Sequence, residues 1–333
     1  VTHPLFELGI HRIECPVPFP QAGGPANVYV LEEADGGVAL FDSGLGTREG
    51  EEAVQAGFTR LGLKFGDVRR IYLSHGHIDH YGLARTISEA SGADVYIHEA
   101  DRLKVERPQA EWKASRSAYR EYLHHLGVSP AEIEKLEQMH QYTLSLARPV
   151  ERTKAVREGD VLRFKHFSAT VQHAPGHTPG LTCLYVEAHR LLFSDDHLLE
   201  RVSPNPLLEV GPEGPEHKFR SLVTYLSTLE RTRELAMELV LPGHNEPFRN
   251  PVPIIDWLRG FYEKRQTRIL EALATGPKTA VELVTHVFPR LGLRDLFLTL
   301  SEIVGNLEVL EDRGQVVRRA PAPVYRWEQV SPG

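Results

Sequence analysis

The sequence predicts a layered α/β protein with a helical insertion and a distinct helical segment at its C-terminal end. Three observations carry this. Short apolar runs of strand length alternate with helical stretches through the first third of the chain, as in helices packed on a sheet. Residues 99–148 then become rich in Glu, Lys, Arg, Leu and Tyr, and strand-length runs resume beyond them. From about 255 the pattern changes again, to three helical stretches and two short strands.

The 333 residues suggest two domains, or one large domain with an appendage, and the expected division is 1–254 and 255–333. A net charge of −7 argues against a general affinity for nucleic acid or anionic membrane. The apolar runs are shorter than a membrane span, and no charged-then-apolar leader opens the chain. Cys15 and Cys183 are its only cysteines, so no disulfide framework is indicated and a reducing cytoplasm is the expected compartment.

In chain order, Asn27-Val28-Tyr29-Val30-Leu31 and Val38-Ala39-Leu40-Phe41 flank Asp35-Gly36-Gly37 and predict a β-hairpin. The hairpin ends at Asp42, which reads either as a turn cap or as a group orienting metal ligands. Glu51 to Leu61 predicts a helix, Ile71-Tyr72-Leu73 a strand, Leu83 to Ser91 a helix and Asp94 to Ile97 a strand. In the insertion, Ser129-Pro130 marks a capped helix start among two or three helices. Its histidines, His124, His125 and His140, lack close metal-type partners and read as ordinary helix residues.

The chemistry is concentrated where strands end. Ser74-His75-Gly76-His77-Ile78-Asp79-His80 follows an apolar strand with three imidazoles and a carboxylate, donors preferred by borderline divalent metals. Gly76 allows a tight turn there. Val171-Gln172 leads to His177 between Pro-Gly breakers, Leu192-Phe193 leads to Asp195-Asp196-His197, and Val240-Leu241 leads to Pro242-Gly243-His244. Four strand ends therefore present His or Asp. His98 reads as a packed surface residue with support of a ligand as the alternative, His173 as facing the other side of the sheet, and Tyr81 as a packing residue with lining of the cleft as the alternative; His197 is unassigned, and Cys183 reads as a small core residue.

These motifs resemble the metallo-β-lactamase superfamily. His75-Gly76-His77-Ile78-Asp79-His80 matches its HxHxDH signature, and Pro175-Gly176-His177-Thr178, Asp196, Pro242-Gly243-His244 and Asp42-Ser43-Gly44 match further motifs in the family's order, over about 28 to 250. The resemblance, closest to glyoxalase II-like hydrolases with a C-terminal winged helix, implies a four-layer αββα sandwich. It implies one metal on His75, His77 and His177, a second on Asp79, His80 and His244, and Asp196 shared. Two residues depart from the pattern: Asp195 stands where the family usually has Gly, and Leu83 where many members have a second Gly.

Seven ligands for two ions leave coordination positions open for solvent, the mark of a catalytic site. The expected cofactors are two divalent ions, zinc by default with manganese or iron as alternatives. The expected reaction is attack of a metal-activated hydroxide on a thioester, ester or lactone carbonyl of a small-molecule substrate, with Asp79 also acting catalytically as a proton shuttle. A phosphodiesterase or endoribonuclease using the same metals is the second enzymatic reading. The non-enzymatic one is a regulatory or nucleic-acid-binding protein built on the C-terminal segment. There, Lys264 to Ala274, Thr279 to Phe288 and Leu296 to Leu310 predict three helices, and Gln315 to Trp327 a two-stranded wing. Residues 251–333 hold eleven Lys and Arg against ten Asp and Glu, and the third helix carries Glu302 and Glu308 without a basic residue. Duplex binding is disfavoured on that count. Arg313, Arg318, Arg319 and Arg326 leave a weak patch for RNA or an acidic ligand, and a homo-oligomer stays open.

Overall fold

The computed structural model describes residues 4–20, 23–200, 202–290, 295–319 and 323–330. Helix α1 (Pro4–Glu7) and strand β1 (Ile10–Cys15) precede the expected hairpin, which forms as β2 (Ala26–Glu32) and β3 (Val38–Phe41). Helix α2 (Arg48–Arg60) starts at Thr47, whose hydroxyl accepts the Gly50 N–H. Strand β4 (Val68–Tyr72), the single turn α3 (Ile78–Tyr81), α4 (Ala84–Ser91) and β5 (Asp94–His98) follow. The insertion folds as α5 (Arg102–Glu106), α6 (Pro108–His125) and α7 (Pro130–Leu144). Ser129 and Glu132 form a reciprocal capping box at the start of α7, with Pro130 in its first turn. Strands β6 (Lys154–Val156), β7 (Val161–Arg163), β8 (Ser168–His173), β9 (Thr182–Val186) and β10 (Leu191–Asp195), helix α8 (Ser221–Arg233), and strands β11 (Leu239–Pro242) and β12 (Phe248–Arg249) complete the layered part.

The strands form two six-stranded sheets, ordered β1-β2-β3-β4-β5-β6 and β12-β11-β10-β9-β8-β7. Period-two alternation sends successive side chains to opposite faces. Tyr29, Leu31 and Phe41 therefore meet Val171, Leu184 and Phe193 between the sheets. Val28, Val30 and Leu40 point the other way, against Val54 and Phe58 of α2. The outer face of the second sheet, with Cys183, Leu192 and Val240, is covered by Leu222, Tyr225 and Leu229 of α8. Helices thus flank two stacked sheets, the αββα arrangement expected from the resemblance.

Strand direction places the functional edge. β3, β4 and β5 run parallel, so Asp42 and the His75–His80 loop leave the first sheet at one edge. β10 and β11 also run parallel, and β8 shares their direction because two antiparallel steps separate it from β10. Two sets of hydrogen bonds join the sheets at this edge. The Asn27 N–H and side-chain amide donate to the carbonyls of Gly243 (2.7 Å) and Pro242 (2.9 Å). The Thr182 N–H donates to the Ser74 carbonyl at 2.9 Å.

Beyond β12 come α9 (Pro251–Leu273), α10 (Ala280–Val287), α11 (Leu296–Asp312) and the antiparallel pair β13 (Val316–Arg319) and β14 (Arg326–Gln329). The sequence placed the first of these helices at Lys264, yet it begins at Pro251. Pro251 and Pro253 fall in the first turn, where a missing N–H breaks no helical bond, so they start the helix rather than interrupt it. The first half of α9 (Ile255, Leu258, Tyr262) packs on the second sheet, while Ile269, Ala272 and Leu273 enter another core. That core is shared by the insertion, through Trp112, Tyr122, Leu123 and Ile133, and by Leu283, Leu300 and Ile303. Helix α11 is buried without interruption from Thr299 to Leu310. Its Glu302 and Glu308 face inward to ion pairs with Arg265 and Lys218. Among the described residues no helix is long and apolar enough to cross a membrane.

His140 lies against Trp112 in the insertion, with ring centroids 4.2 Å apart and Nε2 buried without a partner. Burial pulls its pKa down to about 4. A histidine held neutral in the folded state stabilises above its unfolded pKa, and that stability drains as pH falls from about 6.5 toward 4. Other buried histidines, His77 and His177 among them, lose stability over the same window, so in urea unfolding of the metal-free protein His140→Phe should reduce the loss by about 2 kcal/mol relative to wild type rather than remove it.

Candidate metal centre

All seven sequence-selected ligands come together at the shared edge. His75, His77 and His177 form one group. His75 Nε2 lies 2.8 Å from His77 Nδ1, and His177 Nε2 lies 3.0 Å from that same nitrogen. Asp79, His80 and His244 form the other, with His244 Nε2 3.6 Å from Asp79 Oδ2 and His80 Nε2 3.8 Å from Asp79 Oδ1. Asp196 stands between them. Its Oδ2 is 3.4 Å from His177 Nε2 and 3.5 Å from His80 Nε2, while Oδ1 is 3.6 Å from His244 Nε2.

Which ring nitrogen faces inward is decided from behind. The Nδ1 of His177 meets the Asn205 carbonyl at 3.0 Å, and that of His244 the carbonyls of Gly24 and Pro25, each at 3.2 Å. His80 Nδ1 meets Asp42 Oδ2 at 3.1 Å, and the other Asp42 oxygen accepts the Ser74 N–H at 2.8 Å. His75 Nδ1 lies 2.9 Å from Ser74 Oγ and 3.3 Å from Asp195 Oδ1. Four imidazoles are thus held by Nδ1 and present Nε2, while His77 alone presents Nδ1. Fixing one nitrogen in this way sets the tautomer and raises the donor strength of the other. Asp42 orients a ring and ties β3 to the loop after β4, which supports the orienting reading over the turn cap. Its φ of +63° is the conformation an Asp tolerates in such service.

The donors fit divalent cations. His80 Nε2 and Asp196 Oδ1 are buried without any hydrogen-bond partner, a cost that coordination would remove. Two ring nitrogens lie within 3.0 Å of His77 Nδ1, and the three cannot all be satisfied by one another's protons, whereas tetrahedral zinc sets ligand nitrogens about 3.3 Å apart. Burial and the neighbouring imidazoles of His75 and His177 hold His77 well below the usual histidine range. Burial also brings His177 down to about 4, so both present lone pairs at neutral pH. His80 behaves oppositely: burial alone would lower it, but Asp195, Asp196 and Asp79 hold it well above the usual range. A cation must displace that proton, so uptake is coupled to proton release. Asp42 is pushed up by burial and the adjacent Asp195, while Asp195 is held down against burial by His80.

One key residue was missed in the sequence. Asp101, fully buried at the start of the insertion, accepts the Gly76 N–H at 3.0 Å, the Thr178 hydroxyl at 2.6 Å and the Gly180 N–H at 3.0 Å. One carboxylate thereby ties the loop of His75 and His77 to the loop of His177. Lys104 Nζ lies 3.6 Å from it and 2.5 Å from Glu209. This crowding also explains Gly76: a Cβ there would lie 2.9 Å from Lys104 Cβ, so close approach adds to the turn as a reason for glycine. The clue was available, since β5, like the other functional strands, runs into a His-Glu-Ala-Asp segment. Other histidines among the described residues have partners of their own. His98 stacks on His173 at 4.0 Å, His197 Nε2 bonds the Thr232 hydroxyl, and His125 stacks on Tyr325. Tyr81 and Cys183 are buried in the outer-face cores, and Leu83 is buried where α4 begins.

Known proteins are similar to this chain in sequence and fold. The family described as the metallo-beta-lactamase superfamily matches residues 22–244. The probable metallo-hydrolase YqjP of Bacillus subtilis is 30% identical over 300 residues, 89% of this chain and 90% of that protein. The acyl-coenzyme A thioesterase MBLAC2 of Homo sapiens is 26% identical over 243 residues, 69% of this chain and 76% of that protein. The crystal structure of the metallo-beta-lactamase family protein TTHA1429 from Thermus thermophilus superposes with a TM-score of 0.81 at 31% identity, covering 97% of this chain and 99% of that one.

Removing Asp101 leaves the N–H groups of Gly76 and Gly180 and the Thr178 hydroxyl without their acceptor and takes from Lys104 the second of its two carboxylates, Glu209 remaining. Asp101→Ala should cost the metal-free protein about 3 kcal/mol in urea unfolding. A loss within 0.5 kcal/mol, the range of an ordinary surface substitution of roughly that size, would remove the clamp from the account.

Proposed function

The chain belongs to the metallo-β-lactamase superfamily and is a metal-dependent hydrolase, and from that premise we propose that it holds two divalent cations, zinc in the first instance, and cleaves a thioester. Ester and lactone are the neighbouring substrates. The observation that carries this reading is the position of Asp196, whose two oxygens lie 3.4–3.6 Å from nitrogens of both ligand groups. Manganese and iron accept the same imidazole and carboxylate donors. When bound, such cations acidify a water molecule and polarise a carbonyl oxygen.

The protein's own groups would do the rest. The inward nitrogens of His75, His77 and His177 would hold one cation, and those of His80 and His244, with Asp79, the other once His80 gives up its proton. Asp79 is partly exposed, with Oδ2 near His244 and Oδ1 near His80, which suits it to take a proton from the attacking water and return it to the leaving group. A thiol leaving group has a pKa of about 8.5, so it departs with little help, unlike an alcohol. The likeness to a protein named an acyl-coenzyme A thioesterase points the same way. Cys15 and Cys183 are both free and buried, which suits the reducing compartment expected for a cytoplasmic enzyme.

For the C-terminal segment we propose a winged-helix-like unit that serves packing rather than nucleic-acid binding. A helix buried along its length, as α11 is, cannot lie in a DNA groove. The arginines of the wing are engaged as well. Arg318 pairs with Glu216, Arg319 with Glu328 and Arg326 with Glu282, and Arg313 donates to Gln266. The segment also reaches the metal centre, since the Asn205 side chain, whose backbone carbonyl holds His177, donates to the Leu298 carbonyl at 3.1 Å.

The test is a steady-state comparison of acyl-thioester, lactone and bis-nitrophenyl phosphate substrates on metal-loaded protein. The thioester should be turned over with the highest kcat/KM, and His77→Ala and Asp79→Asn should each lose at least about 100-fold in kcat. Faster cleavage of the phosphodiester would favour the phosphodiesterase, and no turnover with zinc, manganese or iron would refute the hydrolytic reading.

A further inference from the structure

Position 195 carries a side chain that its backbone disfavours. Asp195 ends β10 at φ +49°, inside the left-handed region that glycine adopts without strain. It is also a carboxylate only 1% exposed, at the edge of the core between the sheets. Such a residue persists where its contacts over-determine the conformation.

Those contacts are specific. Oδ1 accepts the Asp196 N–H at 2.7 Å and lies 3.3 Å from His75 Nδ1. Oδ2 lies 3.4 Å from His80 Nδ1. One carboxylate therefore stands behind a ring of each ligand group, and it also fixes the backbone of Asp196, which stands between the groups. The opposite strand end leaves room for it: a Cβ on Gly243 would come within 3.1 Å of Asp195 Cγ and 2.6 Å of Asp196 Oδ1.

We propose that Asp195 is a positioning residue for both halves of the metal centre. It holds His75 and His80 with Nε2 turned inward, and it adds a buried negative charge opposite the two cations. The backbone strain at 195 is the cost of placing that charge. This rests on the two-cation reading above. Asp195 falls with His75, His80 and Asp196 in one possible cation group, but we place it behind the ligands rather than among them, because its oxygens lie 3.3 and 3.4 Å from Nδ1 atoms, on the far side of the rings from the inward Nε2 atoms.

The test separates metal affinity from folding. Asp195→Gly relieves the strain and removes the carboxylate, while Asp195→Asn keeps an acceptor and removes the charge. Zinc affinity is measured by competition with a chromophoric chelator, and thermal unfolding is followed on chelator-stripped protein. Asp195→Gly should bind zinc about 10–100-fold more weakly than wild type, with a metal-free Tm equal to or above the wild-type value. Asp195→Asn should fall between the two in affinity. Affinities within twofold of wild type would overturn the proposal, and so would a metal-free Tm that drops together with affinity, or an Asp195→Gly chain that does not fold. If wild type itself takes up no zinc, the two-cation reading fails, which the wild-type titration reports separately.

Discussion

The two sheets are fastened to each other at the edge where their functional strands end, and the site depends on that fastening. Asn27, at the start of β2, bonds the chain leaving β11, and Ser74, leaving β4, bonds the start of β9. Because β3 and β4 run parallel, as do β10 and β11, the carboxylates and imidazoles of both sheets emerge facing each other. Slipping β4 or β10 by a single residue against its neighbours would turn its inward-facing side chains to the opposite face. The convergence of seven polar groups is thus a property of strand direction and register.

Putting those groups there is expensive. His75, His80 and Asp195 are almost wholly excluded from solvent, and Asp42 lies behind them. Buried charge is tolerated only when paired or coordinated. The cluster balances itself in part, with a proton held on His80 among the aspartates and neutral rings at His77 and His177. It leaves His80 Nε2 and Asp196 Oδ1 unsatisfied. Those two atoms point to coordination as the missing interaction, because His80 Nε2 is the inner side of a ring whose Nδ1 is already held and Asp196 Oδ1 lies among the inward nitrogens.

Much of this was legible in the sequence because strand ends announce themselves locally. An apolar run followed by His or Asp marks a candidate without knowledge of the partners, and the family resemblance then narrowed the candidates to His75, His77, Asp79, His80, His177, Asp196 and His244. The supporting residues were less legible. Asp101 acts on two loops at once, and nothing within its own segment reveals the Thr178 and Gly180 groups it binds. The position of Asp195 depends on a positive φ that sequence spacing does not disclose. The helix expected from Lys264 begins at Pro251, with two prolines in its first turn, and the core shared by the insertion and the C-terminal helices depends on contacts far apart in the chain.

The central claim is that these side chains enclose a pair of cations, and an anomalous difference map from crystals grown with zinc tests it most directly. Two peaks should appear on either side of the Asp196 carboxylate, one at about 2.0–2.3 Å from the inward nitrogens of His75, His77 and His177, the other at the same range from Asp79, His80 and His244. A map with no peak in this cluster, or with a peak that contacts His75 or His80 through Nδ1, would contradict the account.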